Sequence, residues 1–316
     1  MLTKYNLIVI TGATAGGKTG VAAQLSLHIG GEIISADSRQ VYRGMDIGTG
    51  KDLEDYEING KKIPYHLIDI VEAGTKYNVF EFRKDFFKAF TDIKNRKKTP
   101  ILCGGTGLYI NSVIKNYQLV KVPVNEELRA KLNGISIENL EQILRSYKTP
   151  HNRSDLDTTK RAVRAIEIAE FYSKNKITND EYPEIHPIIF CIFYNREERR
   201  TRITERLKYR LENGMIEEAK KLIETGMSFE DMEYYGLEYK FLARFLSGKI
   251  NYDELFSQLN TAIHQFSKRQ MTWFRKMEKE GTKIHWIDGN QDIDKKIKYI
   301  LDLCKENRNY LGDSIL

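Results

Sequence analysis

Residues Gly12 to Thr19 read Gly-Ala-Thr-Ala-Gly-Gly-Lys-Thr, a glycine-rich run closed by Lys-Thr. Gly12, Gly16 and Gly17 can carry the backbone through positive φ. With Ala13, Thr14 and Ala15 they form a loop whose N–H groups can close on phosphate oxygens. Lys18 adds a point charge, and Thr19 a hydroxyl able to ligate Mg²⁺. The apolar run Leu7–Ile10 precedes the loop and a helical pattern at Val21–Leu25 follows it. Strand, turn, then helix is the setting a phosphate-binding P-loop needs. The first amides of that helix lack intrahelical partners and sit at the positive end of its dipole. A phosphorylated ligand is expected.

A second group of polar residues, Asp37, Ser38, Arg39 and Gln40, follows an apolar stretch ending near Ser35. Asp37 then lies in a loop beside the P-loop, where a carboxylate can hold Mg²⁺, accept a proton or cap a helix. A third group is Gly104-Gly105-Thr106-Gly107, after the apolar run Ile101–Cys103. It lets backbone and the Thr106 hydroxyl approach a ligand closely. A nucleotide hydrolase would carry a metal-binding Asp at such a strand end. Here the run ends Cys-Gly-Gly, and the one comparable carboxylate is Asp69, in His66-Leu67-Ile68-Asp69. Basic residues also cluster. Between Arg196 and Arg210 there are seven Arg or Lys against three acids, and Lys268, Arg269, Arg275, Lys276 and Lys279 face only Glu278. Lys160, Arg161 and Arg164 form a further group at helical spacing.

Apolar runs of strand length at Leu7–Ile10, Glu32–Ser35, Tyr65–Ile70, Pro100–Cys103 and Ile188–Tyr194 alternate with helical patterns at Thr19–Ile29, Val79–Lys97 and Thr106–Ile114. The expected fold class is α/β: a P-loop-type, mostly parallel sheet flanked by helices, with its ligand at the strands' carboxyl ends. Residues 121–187 have helical texture and read as a helical insertion lobe between catalytic-core segments 1–120 and 188–316. From Arg196 to Lys279 the pattern is amphipathic helix broken at Gly214, Gly226 and Gly248.

A chain of 316 residues that is 41% hydrophobic has room for one large core and a smaller lobe. The net charge of +6 argues for nucleic acid only where the cations gather. Cys103, Cys191 and Cys304 are far apart, which points away from disulfides and structural zinc and toward small buried hydrophobes. The apolar start is too short for a signal peptide or a membrane span. The expectation is a cytoplasmic monomer with no obligate protein partner.

In this order the blocks GATAGGKT, ISADSRQVYRGMDIGTGK, HLIDI, CGGTGLYI, KRAVRAIE, the Arg202–Arg206 segment and KRQMTWFR resemble the tRNA dimethylallyltransferase (tRNA isopentenyltransferase) family, bacterial type. They span residues 8 to 275, and the long block DSRQVYRGMDIGTGK, from Asp37 to Lys51, is the most specific. The resemblance implies transfer of the dimethylallyl group of dimethylallyl diphosphate to N6 of the adenosine just 3′ of the tRNA anticodon. It implies that the P-loop, with Arg202 and Arg206, grips the diphosphate, aided by Mg²⁺ on Thr19. Asp37 becomes the general base and Thr106 orients the amine. Ser38, Arg39 and Gln40 read the base and its neighbours. Lys160, Arg161, Arg164, Lys268 and Arg269 hold phosphates of the anticodon stem-loop.

Departures are visible. Ala13 and Gly16 stand where the family usually has Pro and Ser, and its Gly-Tyr-Lys-Glu block appears as Gly236-Leu237-Glu238-Tyr239-Lys240. His264 replaces an Arg, and the acidic-Asn pattern before the KRAVRAIE helix is Asp157-Thr158-Thr159. Relatives that prenylate free adenine nucleotides remain an alternative, disfavoured by the basic groups. A small-molecule kinase would bind ATP at Gly12–Thr19 and use Asp69. An RNA-binding protein without catalysis would leave Asp37 dispensable.

Overall fold

The structure, a computed structural model, describes residues 5–147, 156–175 and 181–306. The chain divides into two compact units, Met1–Tyr117 with Pro183–Leu316, and Gln118–Tyr182.

The first unit is built on a six-stranded sheet of β1 (Leu7–Gly12), β2 (Glu32–Ser35), β5 (Tyr65–His66), β6 (Pro100–Gly104), β7 (Pro187–Phe193) and β8 (Ile284–Asp288). The strand order is β5-β2-β6-β1-β7-β8, and every neighbouring pair is parallel. The α/β expectation therefore holds. β1 is fully buried and reads as a continuous apolar run, as a strand covered on both faces should. Ile8, Ile10, Ile33, Ile101, Phe190 and Ile192 belong to one core cluster with residues of α1 (Lys18–Ile29). The chain leaves β1, passes through α1 and returns as β2 on the far side of β6. Phosphate loop, Asp37 loop and Gly-Gly-Thr-Gly loop thus converge at the carboxyl ends of adjacent strands.

α2 (Val79–Asn95) begins where the Asn78 side chain accepts the Phe80 and Glu81 amides, and it buries Phe82, Phe86, Phe90 and Ile93 at helical spacing. α3 (Gly107–Ile114) follows β6, with Thr106 as its N-cap residue. After β7 come α7 (Arg196–Glu212), α8 (Met215–Glu224), α9 (Phe229–Met232), α10 (Leu237–Leu246) and α11 (Tyr252–Lys279). α11 starts on a capping box between Asn251 and Glu254. α12 (Ile293–Glu306) closes the unit.

The structure differs from expectation at three places. The run Tyr65–Ile70 stays a strand only to His66. Leu67 and Asp69 adopt left-handed φ of 63° and 55°, because the chain turns to donate the Asp69 amide to Gln40 and the Ile70 and Val71 amides to Val41. β8 and α12 lie beyond the last element expected. A hairpin, β3 (Glu57–Ile58) with β4 (Lys61–Lys62), turns through Asn59-Gly60, both at positive φ, the local signature of a primed turn.

The second unit packs α4 (Glu126–Leu132), α5 (Ile137–Tyr147) and α6 (Thr159–Lys174) around Leu132, Leu140, Leu144, Ala162 and Ile166. It covers 118–182 rather than 121–187. Asn6 exchanges hydrogen bonds of 2.8 Å with His186 and donates another to the Glu184 carbonyl, which ties the approach to β7 to the start of β1. Among the described residues no helix is long and apolar enough to cross a membrane.

Candidate active site

β1 ends at Gly12, whose φ is 147° and where any side chain would collide with the Ile192 carbonyl of β7. Ala15 and Gly17 adopt φ of 58° and 67°, and Gly17 caps α1. Alternating left-handed residues are how a chain turns successive N–H groups into one concavity, so the loop has the shape of an anion nest. Ala15 pays roughly 1 kcal/mol for a conformation suited to Gly. Side chains from distant helices hold the loop. Arg202 Nε donates to the Ala15 carbonyl at 3.0 Å while its guanidinium lies over the Tyr194 ring. The Thr14 amide donates to Gln270 Oε1 at 2.8 Å.

Lys18 folds back over the loop and donates to the Ala13 carbonyl at 2.7 Å. Burial lowers the pKa of its ammonium, Arg206 lowers it further, and Asp37 acts in the opposite direction. Lys18, Arg206 and Asp37 therefore share one electrostatic environment. Thr19 stands half-buried in the first turn of α1. Burial pushes the Cys103 and Cys191 thiols up to about 12, so they pack as apolar groups and are not nucleophiles.

The Asp37 and Thr106 loops are stitched together. Ala36 N donates to the Cys103 carbonyl at 2.7 Å, Thr106 N to the Ala36 carbonyl at 3.2 Å, and Ser38 N to Thr106 Oγ1 at 3.2 Å. Gly104 permits this, since a Cβ there would overlap Ala36 backbone. Asp37 Oδ1 accepts the Arg39 amide at 2.9 Å. The Arg39 guanidinium lies over the Tyr234 ring. Gln40 is engaged inside the fold at both ends: Oε1 accepts from Ser35 Oγ at 2.8 Å and Nε2 donates to the Gly50 carbonyl at 2.9 Å. It braces the segment in which Ser38 and Arg39 lie.

Arg206 and Arg210 share the Asp52 carboxylate. Both arginines, with Thr14, Ala15 and Glu238, line a shallow, open cavity whose remaining wall is Ile203, Leu207, Met215 and Ile263. Burial raises the Glu238 carboxyl pKa, against the pull of Arg210 and Arg206. Its lining combines two arginines and a carboxyl with four large apolar side chains.

Asp69, the only candidate for a kinase-type metal carboxylate, pairs with Lys51, whose fully buried ammonium also donates to the Tyr42 carbonyl at 2.7 Å and to Asp46 at 2.5 Å. Asp69 thus neutralises a buried cation. Nearby, Glu218 of α8 accepts the Asp46, Ile47 and Gly48 amides at 2.8, 2.8 and 2.9 Å and the Tyr239 hydroxyl at 2.5 Å. That carboxylate holds the Met45–Lys51 block in shape.

The basic residues fall into two sets. Lys268 and Arg269 are exposed on α11, and Lys160 and Arg161 are exposed on α6, where Arg161 also donates to Asp157. Arg164 turns inward, donating to Glu167 at 3.0 Å and to the Val122 carbonyl at 2.8 Å. Among the described residues no group of three His, Cys, Asp or Glu side chains is arranged to hold a metal. Sequence reasoning missed Gln270, Asp52, Arg210 and Glu218. Only Gln270 had a local signal, a polar residue in the stripe that α11 buries.

The family model described as IPP transferase matches residues 40–277. The chain is 55% identical over 302 residues to tRNA dimethylallyltransferase 2 of Bacteroides fragilis, covering 96% of this chain and 99% of that protein. It is 55% identical over 296 residues to tRNA dimethylallyltransferase 1 of Parabacteroides distasonis, covering 94% and 96%. The full-length tRNA isopentenylpyrophosphate transferase of Bacillus halodurans superposes with a TM-score of 0.71 at 31% identity, covering 98% of this chain and 97% of that one. A eukaryotic dimethylallyltransferase acting on tRNA shares the fold, with a TM-score of 0.76 at 22% identity over 96% of this chain and 80% of that one.

Proposed function

The chain belongs to the IPP transferase family, and on that premise we propose that it moves the dimethylallyl group of dimethylallyl diphosphate onto N6 of the adenosine 3′ to the anticodon of tRNA, releasing diphosphate. The observation that carries this reading is topological: β1 and β2 flank β6 in a parallel sheet, so the Gly12–Thr19 loop and the Asp37 loop leave neighbouring strand ends on the same side. An anion-binding loop and a carboxylate for the acceptor serve one site.

Departure of diphosphate leaves negative charge on its oxygens. Lys18 and the amides of Gly12–Thr19 stabilise that charge, and Arg202 and Arg206 reach the loop from α7. The Thr14 amide is the exception, being directed at Gln270. The five-carbon group fits the apolar wall of Ile203, Leu207, Met215 and Ile263. The Thr19 hydroxyl, half-buried in the first turn of α1, would be the protein ligand for Mg²⁺. The remaining ligands would be diphosphate oxygens and water, a coordination that Mg²⁺ commonly accepts. When bound, the ion neutralises charge on the leaving group.

The N6 lone pair is delocalised into the purine, so the amine attacks the allylic carbon only as its proton is taken. Asp37 takes that proton through Oδ2, since Oδ1 holds the Arg39 amide. General-base help of this kind is worth about 10²–10⁴ in rate. Thr106 Oγ1 accepts from Ser38, which leaves its hydrogen and a second lone pair for orienting the base. The adenine leaves its stack to reach them. Ser38 and Arg39 flank it, and Gln40 keeps their segment in shape. Lys268 and Arg269 on α11, with Lys160 and Arg161 in the helical unit, bind anticodon stem-loop phosphates. Arg164 supports α6 from within. A free adenine nucleotide would need none of those exposed cations, which favours tRNA.

The test is incubation of dimethylallyl diphosphate with unmodified tRNA and AMP together, followed by mass spectrometry of the free nucleotide and of the nucleosides digested from the tRNA. N6-(dimethylallyl)adenosine from tRNA supports the assignment. Prenylated AMP with untouched tRNA would overturn it.

A further inference from the structure

α11 buries a stripe of Leu255, Leu259, Ile263, Ser267, Gln270, Met271, Phe274 and Met277, and Gln270, at 8% exposed, carries the only amide in it. Its two ends go to two different loops. Oε1 accepts the Thr14 amide at 2.8 Å, and Nε2 donates to the Gly105 carbonyl at 3.0 Å. A backbone N–H can only donate and a carbonyl only accept, so these partners fix which way the amide faces.

Thr14 lies in the phosphate loop and Gly105 immediately precedes Thr106. The ladder between β1 and β6 runs as far as Thr11 opposite Gly104, reinforced by Thr11 Oγ1 donating to the Gly104 carbonyl at 2.8 Å. The ladder ends at that pair, and Gln270 bridges the two loops that follow it. The fit is close. A Cβ on Gly105 would lie 2.5 Å from Gln270 Nε2, and one on Gly107 would overlap the Trp273 ring. Glycine at both positions lets the loop descend onto α11.

We propose that Gln270 is a positioning residue that fixes the spacing between the diphosphate loop and the Thr106 loop, so that allylic carbon and adenine N6 meet in line. This rests on the transferase reading above. Neither bond of Gln270 is needed to hold the sheet, whose β1–β6 ladder is complete without it. Reacting atoms must come within about 3–3.5 Å with aligned orbitals, and a misplacement of about 1 Å can cost on the order of 10²-fold.

The experiment compares wild type with Gln270→Met, which keeps an unbranched chain and loses both bonds. Three quantities are measured: kcat for transfer from dimethylallyl diphosphate to unmodified tRNA, the calorimetric Kd for inorganic pyrophosphate, and the thermal unfolding midpoint. The expected result is a folded variant whose kcat falls about tenfold to a hundredfold while pyrophosphate affinity stays within about threefold. A kcat loss that does not exceed the loss of pyrophosphate affinity by about fivefold overturns the role, since Gln270 would then only shape the phosphate loop or do nothing. Should Gln270→Met fail to fold, Gln270→Glu is judged by the same ratio. It keeps the length and the bond from Thr14, turns the donor to Gly105 into an acceptor and adds a negative charge, whose effect on anion binding the ratio divides out. Wild type transferring nothing to tRNA would instead remove the transferase reading, and this role with it.

Discussion

Arg210 donates to Asp52 Oδ1 at 2.6 Å, and the other oxygen of the same carboxylate takes Arg206. One acidic residue in a loop thus holds two guanidinium groups of α7 against the wall of the cavity beside Thr14 and Ala15. Gly50 makes room for this, since a Cβ there would lie 2.5 Å from Arg210 Nη2 and 2.8 Å from Arg206 Nη2. Asp52→Asn keeps the shape and removes the charge that offsets the repulsion between the arginines. The KM for dimethylallyl diphosphate should rise about tenfold, the worth of a charge-assisted hydrogen bond, with a smaller change in kcat. Steady-state kinetics with tRNA saturating checks this, and an unchanged KM would leave Asp52 a purely structural cap.

Asp37→Ala removes the carboxylate proposed as proton acceptor without touching the Ser38–Thr106 bond, which uses the Ser38 backbone. Turnover should fall by about 10²–10⁴, with tRNA affinity held within a few-fold. Single-turnover transfer and a binding titration on the same preparation separate the two. Near-normal turnover would exclude Asp37 as base.

Lys268 and Arg269 point to solvent while their neighbour Gln270 is buried. Replacing both by Ala should weaken tRNA binding and flatten its salt dependence by about one unit of log–log slope per lost phosphate contact. Affinity measured across a salt series provides the check, and a slope equal to wild type would assign these cations to an idle face.

Glu32 links the sheet edge through Arg96 and His66. Burial raises its carboxyl pKa, but hydrogen bonds from Arg96 and His66 outweigh that and hold it below the ordinary 4.5. A depressed folded-state value means that the stabilisation is complete above pH 4.5 and is lost as pH falls from there through the folded value. Glu32→Gln should therefore cost about 1–3 kcal/mol at pH 7 and show a shallower acid decline below 4.5 than wild type. Urea unfolding from pH 7 to pH 3 reads both, and parallel acid limbs would contradict the linkage.

The phosphate loop could be read from the sequence because its demands are local: glycines at the turn, an apolar run before it, Lys-Thr after it. The same holds for Gly104–Gly107 at the end of β6 and for Asp37 after β2. The strand expected across Tyr65–Ile70 failed for the opposite reason. Its composition suits a strand, yet Asp69 turns out of line toward Lys51, whose buried ammonium needs a counter-charge. β8 escaped notice because Ile284-His285-Trp286-Ile287-Asp288 is short, half polar and paired only with β7. Gln270 was concealed by the basic run around it, although its place in the buried stripe of α11 marks it out.

Backbone conformation and strand-helix alternation depend on residues a few positions apart, so the sequence alone determined the glycine-rich turn between β1 and α1, the parallel α/β class and the family. The bridges that complete the site span far greater separations: 93 residues from Thr11 to Gly104, 158 from Asp52 to Arg210 and 256 from Thr14 to Gln270. No local preference encodes such partners. Packing α7 and α11 against the strand ends excludes water from Gln270 and crowds Arg206 and Arg210 around one carboxylate. Desolvation then makes each buried polar group find a partner, and only the tertiary structure decided which.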